Sequence, residues 1–268
     1  MAEPVILVTG STDGIGKVTA AELAFGGASV VLHGRDEKKG RRVQKELEQK
    51  TGIRPDLVIA DFSRQDQIRS MAREIASRYT RLDALVNDAG TYQRGRHVTL
   101  EGVELTFAVN YLGPFLLTHL LRPLLGKKSR IVNVASSAHF DVDRIDWDNL
   151  PQERRYDPWG AYALSKFADV TFTYVLARDL ERTGITANCL HPGVVNTKLS
   201  RSAAPGIATI TPEEGAQTLI WLARSPEVAG VSGRYFEDKR PVRSSALSYD
   251  HEVQERLWKL AEDLTGTG

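Results

Sequence analysis

The chain has 268 residues, and Lys+Arg 35 against Asp+Glu 34 leaves a net charge of +1. Hydrophobic residues at 41% and charged residues at 26% are those of an ordinary globular protein, which excludes disorder, collagen-like repeats and coiled coil as the main organisation. There is no basic excess to bind a polyanion, so no nucleic-acid partner is expected.

The chain opens Met1-Ala2-Glu3-Pro4 and then has four apolar residues at 5–8, which is neither the basic start nor the long apolar core of a secretory signal. From there short β-branched apolar runs alternate with longer runs of helical period. Strands are predicted at 5–9, 29–33, 54–60, 84–87, 130–135, 186–191 and 233–236. Helices are predicted between the first six, at 16–25, 36–50, 65–79, 100–125 and 160–182. Asp157-Pro158 and the Thr-x-x-Glu box Thr211-Pro212-Glu213-Glu214 mark two helix starts.

Strands that read as near-continuous apolar runs are covered on both faces, as in a parallel sheet. The pattern therefore predicts one doubly wound α/β domain over 1–268, with about seven strands. Residues 138–156 and 193–210 lack the strand–helix rhythm. Loops after strands gather at the carboxyl edge of such a sheet, where ligands bind, so 138–159 and 193–210 are the expected substrate loops.

Cys189 is the one cysteine, which leaves no disulfide framework and no cysteine-based zinc site, and the six histidines show no metal-ligand spacing. No metal is expected. The greasiest stretch, 115–125, is interrupted by Thr118, His119, Arg122 and Pro123. It falls short of the ~18–20 apolar residues of a membrane span, and the expectation is a soluble, cytoplasmic protein.

The first predicted strand runs into Gly10-Ser11-Thr12-Asp13-Gly14-Ile15-Gly16 and then Lys17. Glycines there allow a tight turn and let backbone N–H groups approach a pyrophosphate at a helix N-terminus. The bland alternative is a glycine-rich turn that binds nothing. At the tip of the second strand an acid would accept hydrogen bonds from an adenosine ribose. Here the tip reads Gly34-Arg35, which places a cation where a 2′-phosphate is paired, and Lys17 can add a second charge. Against that stand Asp36 and Glu37 nearby, or an Arg35 that is simply solvated. Asp61, after the third strand, either bonds an adenine amino group or caps a turn. In Tyr162-Ala-Leu-Ser-Lys166 the two outer side chains lie on one helix face, one turn apart. A phenol titrates near about 10, but a neighbouring ammonium favours its phenolate, so such a tyrosine can pass a proton to or from a carbonyl oxygen. Trp147 and Trp159 either pack the 138–159 insert or line a substrate pocket.

Gly10–Gly16, Asn87-Asp88-Ala89-Gly90, Asn110, Ser136 and Tyr162-x3-Lys166 occur in this order. The set resembles the short-chain dehydrogenase/reductase family, over nearly the whole chain. Val132-Asn-Val-Ala-Ser136-Ser-Ala-His139 and Leu190-His-Pro-Gly-Val-Val-Asn-Thr197 look like its retinol dehydrogenase and carbonyl reductase branch. The resemblance implies a Rossmann-type fold and an NAD(P)-dependent oxidoreductase acting on a small carbonyl or alcohol. It implies four catalytic residues: Asn110 for a water relay, Ser136 for the substrate oxygen, Tyr162 for the proton, and Lys166. It implies cofactor contacts from residues 10–17, Arg35, Asp61, Phe62, Asn87, Ala89, Gly90, Tyr162, Lys166, Pro192, Gly193, Val195 and Thr197. With Arg35, NADP(H) is expected over NAD(H). The family's Asn-Asn-Ala-Gly departs to Asp at 88, and Ala135 replaces one serine of the serine motif. An epimerase or dehydratase on the same scaffold, or an idle dinucleotide sensor, are the alternatives. Association of copies through the helices at 100–125 and 160–182 stays open.

Overall fold

The computed structural model describes residues 3–150, 154–203, 205–207 and 210–268. Its centre is a sheet of β1 (Val5–Val8), β2 (Ser29–Gly34), β3 (Asp56–Ile59), β4 (Leu82–Asn87), β5 (Leu125–Val134), β6 (Thr186–Leu190), β7 (Tyr235–Glu237) and β8 (Arg240–Val242). The spatial order is β3-β2-β1-β4-β5-β6-β7-β8, parallel throughout except for the β7–β8 hairpin. The eighth strand is an addition to the seven expected. Arg240-Pro241-Val242 is short, exposed and polar, so it carries no apolar signal.

Alternate strand residues face opposite layers. Leu7, Val31, Leu85 and Ile131 pack under α3 (Gln65–Arg78), α5 (Gly113–Leu121), α6 (Pro158–Asp179) and α9 (His251–Thr265). Ile6, Val8, Val30, Val86 and Val132 pack under α1 (Gly14–Phe25), α2 (Glu37–Thr51) and α8 (Pro212–Arg224). The two predicted caps form: Asp157 accepts from the Trp159 and Gly160 N–H groups, and Thr211 and Glu214 close a capping box.

The helix expected over 100–125 is not continuous. Glu104 caps the short α4 (Leu105–Phe107) by accepting from Thr106 and Phe107 N–H. A π-helical turn (Ala108–Leu112) then leads into α5. Pro114 has no N–H, so the Asn110 carbonyl lacks its i+4 donor, and the ladder widens there rather than running on. Pro123 ends the segment in a 3₁₀ turn, and β5 starts at Leu125. The 193–210 loop contains a six-residue helix, α7 (Lys198–Ala203).

The last 29 residues form elements that were not among those predicted. Helix α9 packs across α5 and α6. The Trp258 ring lies 5.0 Å from Phe115 and 5.9 Å from Phe172, and the Tyr111 hydroxyl donates to the Leu257 carbonyl at 3.0 Å.

Candidate functional site

In an open parallel sheet the binding crevice opens where strand order reverses. Here that point lies between the carboxyl ends of β1 and β4. Thr9 joins the two ends: its hydroxyl accepts the Asp88 and Ala89 N–H groups at 2.9 and 3.0 Å. Gly10 has φ +69, and a Cβ on it would meet Ala89 Cα at 2.9 Å. Gly16 is as constrained, since a Cβ would stand 2.5 Å from Asp88 Oδ2 and 2.7 Å from the Gly10 carbonyl. These glycines are therefore required by the packing. Asp13 caps α1 through the Gly14 N–H, and Thr12 fills the space above Gly34. Ile15, on the first turn of α1, packs at the edge of the α1/α2/α8 core.

His33 sets this turn and was not singled out from the sequence. The Gly10 N–H donates to its Nδ1 at 3.2 Å, and its Nε2 donates to the Ala60 carbonyl at 3.1 Å. Ser11 binds the His33 backbone in both directions. Burial pushes the imidazole down to about 4, so it stays neutral and keeps Nδ1 as an acceptor. Phe62 stacks on that ring at 4.6 Å.

At the tip of β2 the charges sort themselves. Asp36 caps α2 by accepting from Lys39 N–H at 3.1 Å, and Glu37 pairs with Arg41 at 3.1 Å. Lys17 pairs with Glu46 of α2 at 2.5 Å. Arg35 is exposed, and among the described residues its guanidinium has no hydrogen bond or ion pair. Asp61 Oδ1 accepts from the Ser63 N–H at 2.9 Å, which is the turn-capping role. Asn87 is buried, and its amide donates to Thr118 and Asn133.

Tyr162 and Lys166 stand one turn apart on α6, which is apolar on nearly every face and buried between the sheet and its neighbours. The lysine Nζ is 6.0 Å from the Tyr162 ring centroid. It donates to the Val134 carbonyl at 2.7 Å, at the end of β5 two residues before Ser136, and to Asp169 Oδ2 at 3.0 Å. Among the described residues nothing hydrogen-bonds the Tyr162 hydroxyl. Asn110 sits on the π-helical turn, where its side chain bonds both backbone groups of Thr91 and donates to Ser165 Oγ at 2.9 Å. Gly90 lies beside it, 3.5 Å from Asn110 Oδ1 to an added Cβ. Ser136 opens a 3₁₀ turn, its Oγ accepting the Ala138 N–H at 3.2 Å. His139 holds that turn from behind: Nδ1 donates to the Ser136 carbonyl at 2.6 Å, and Nε2 accepts the Ser245 N–H at 3.1 Å.

The loop after β6 comes back over the glycine turn. Thr197 Cγ2 would be 3.1 Å from a Cβ on Gly14. Gly193, just after Pro192, has φ +86, and Val195 bridges to Ile210. Residues 10–16, 87–90, 110, 136, 162, 166 and 192–197 thus all stand at the carboxyl edge of the sheet. Lys17 is drawn to α2, and Asn87 and Phe62 turn their side chains into the core. The two tryptophans separate. Trp159 lies 5.8 Å from the Tyr162 ring and donates to Asp141 at 2.8 Å. Trp147 is stacked under the Arg256 guanidinium of α9 at 4.1 Å. Residues 151–153, 204, 208 and 209 of the two predicted loops lie outside the described residues.

A family model described as short chain dehydrogenase matches residues 4–207. Mouse retinol dehydrogenase 14 is 39% identical over 286 residues, covering 97% of this chain and 85% of that protein. Mouse polyprenol dehydrogenase is 38% identical over 283 residues, covering 98% and 84%. Among solved structures, a protein from Mycobacterium paratuberculosis superposes with a TM-score of 0.83 at 29% identity, covering 99% of this chain and 94% of that one. A short chain dehydrogenase from Escherichia coli CFT073 complexed with NADPH superposes with a TM-score of 0.73 at 31% identity, covering 88% and 96%.

Proposed function

We propose a function from one premise: the chain belongs to the short-chain dehydrogenase family, and is an oxidoreductase of that family. The reading is reversible hydride transfer between NADP(H) and an alcohol or carbonyl, with Tyr162 moving the proton, Ser136 holding the substrate oxygen and Lys166 supporting the phenolate. The observation that carries it is the Lys166 bond to the end of β5, which ties the Tyr162 helix to the strand bearing Ser136. The chain acts as one domain, since the crevice draws residues from 10 to 197 onto a single sheet edge.

The crevice fits a dinucleotide. The Gly10–Gly16 turn packs without Cβ atoms against Ala89, Asp88 and Thr197 and leads into the α1 N-terminus, whose backbone N–H groups suit a pyrophosphate, and Arg35 follows β2 with its charge uncommitted. Such a cofactor, when bound, supplies or takes the hydride. Residues 10–16 and the α1 N-terminus would hold the phosphates, and Lys166 would hold the nicotinamide ribose through its third N–H. The Pro192–Thr197 stretch would close over the ring. Asp36 and Glu37 are engaged with the α2 N-terminus and Arg41, and neither pairs with Arg35. The E. coli relative in complex with NADPH agrees with this choice. Arg35→Ala is expected to weaken NADPH binding about tenfold, because a charged hydrogen bond is worth roughly 1.5–3 kcal/mol and this one is exposed. NADH binding should barely move. Calorimetry on both proteins checks this, and tighter NADH binding to the unmodified chain would overturn the preference.

The relatives act, by their names, on retinol and polyprenol. Phe140 on the loop after β5, Trp159 on the first turn of α6 and Val194 on the loop after β6 are 47%, 38% and 39% exposed, which suits an apolar alcohol or aldehyde. The test is a panel of alcohols and carbonyls, read at the reduced nicotinamide absorbance band with both cofactors. Turnover of apolar members supports the reading. Cofactor binding with no turnover of any member would leave the sensor alternative. Within that panel Trp159→Ala is expected to reorder substrates by kcat/KM, because the ring adjoins Tyr162. Trp147→Ala is expected to lower Tm and keep the ranking, because its partner is Arg256.

A further inference from the structure

The Lys166 side chain carries more than the acid/base reading asks of it. Residues 166 and 169 share a face of α6, and both side chains are nearly sealed from solvent, at 7% and 3% exposure. At that depth water and salt screen the ion pair far less than they would at the surface. The ammonium has three N–H groups, of which Val134 and Asp169 take two. The third alone is free to turn toward Tyr162 and a ligand. Tyr162 therefore faces an ion pair, not a lone cation.

We propose that Asp169 is a positioning residue whose carboxylate clamps Lys166 and, by offsetting part of its field, sets the pH at which Tyr162 exchanges its proton. The inference rests on the acid/base reading of Tyr162. Other groups face the pair from three sides. Tyr111 of the π-helical turn and Cys189 of β6 are held neutral by burial, which pushes both far up. Asp88 faces Lys166 from the loop after β4, and burial pushes it up to about 7 against the pull of Lys166 and the Gly16 N–H. Burial pulls Lys166 down, but Asp169 and Tyr162 outweigh it and hold the ammonium above its ordinary value. Burial lifts Asp169 to about 6 against the pull of Lys166.

The sign follows. Removing the anion leaves the full cation beside Tyr162 and favours the phenolate, so the tyrosine-dependent limb of the rate profile moves toward acid. An opposite charge a few ångströms away shifts a titration by roughly one to three units; Asp169 acts from beyond Lys166, so a shift of about one unit is expected. Asp88 is common to every variant and also faces Lys166, so the Glu variant, which keeps the charge at 169, is the reference for its contribution.

The experiment is the pH profile of kcat for alcohol oxidation in the full-length enzyme, with Asp169→Asn, Asp169→Ser and Asp169→Glu beside the unmodified chain. Both neutral variants leave Lys166 an oxygen acceptor, so either one that folds suffices. The limb should move about one unit toward acid in Asn and Ser and stay in place in Glu. A limb unmoved in the neutral variants, or moved equally in Glu, overturns the proposal. A merely structural Asp169 would lower Tm and kcat without moving the limb. Tyr162→Phe runs as the control: if it keeps turnover, the acid/base reading has failed rather than the role of Asp169.

Discussion

Tyr162→Phe is expected to lower turnover by about two to four decades, the usual worth of general acid–base catalysis, and to leave dinucleotide affinity nearly unchanged. The variant keeps the ring, which is 8% exposed and packed edge-on to Tyr92 at 5.8 Å. It removes only a hydroxyl that no described residue hydrogen-bonds, so Tm should hold as well. Lys166→Met must behave differently. It strips the support of Tyr162, a ribose contact and the partner of Asp169 together. An uncompensated buried carboxylate typically costs about 3–5 kcal/mol, so this variant should lose cofactor affinity and Tm as well as turnover. Steady-state kinetics, cofactor calorimetry and a melt on both variants check the contrast. Near-normal turnover by Tyr162→Phe would remove the proton role from this residue.

The layout was legible in the sequence because burial on both faces of a parallel strand leaves an apolar run, and helices between such runs leave a 3.6-residue period. The succession of β1 to β7 along the chain follows from that, while the Tyr162–Lys166 face follows from helical spacing and the caps at Asp157 and Thr211 from the capping residues themselves. What stayed hidden depends on contacts between residues distant in the chain. His33 reads as one more strand residue until Gly10 donates to it across 23 positions. Asp169 reads as a helix polar residue until α6 proves buried all round. The π-helical turn at Asn110 had a local signal, Pro114, whose missing N–H marks where the ladder must give. Helix α9 has periodicity of its own, but it follows the last predicted strand, so no strand beyond it marked it as a crossover helix. The Arg256–Trp147 stack shows that it belongs to the scaffold beneath the insert.

His139→Phe is expected to reduce kcat by up to about a hundredfold, the scale of a roughly 1 Å misplacement of a catalytic group, without weakening cofactor binding. The imidazole is fully buried and bridges two segments 106 residues apart. Nδ1–H holds the Ser136 carbonyl, which orients the hydroxyl at the same residue. Nε2 accepts the Ser245 N–H, and the segment behind it is itself tied down by Tyr174–Ser244 at 2.6 Å, Ser244–Ser248 at 2.7 Å and Gln254 to the Ser248 carbonyl at 2.6 Å. Phenylalanine fills the volume and serves neither bond. Two partial replacements separate the jobs. Asparagine places a donor near Nδ1 and should recover much of kcat. Glutamine places an acceptor near Nε2 and should recover Tm, since a buried unsatisfied N–H costs about 1–3 kcal/mol. Burial also holds the His139 imidazole below its ordinary 6.5. The folded state then binds fewer protons than the unfolded one, so stability falls as pH drops below about 6.5. Protonation would set an Nε2–H against the Ser245 N–H. The asparagine variant should lose that share of the acid slope, while His33, His119 and His191, also depressed by burial, keep theirs. A His139→Phe enzyme with unmodified kcat would show that the Ser136 turn holds its shape without the imidazole.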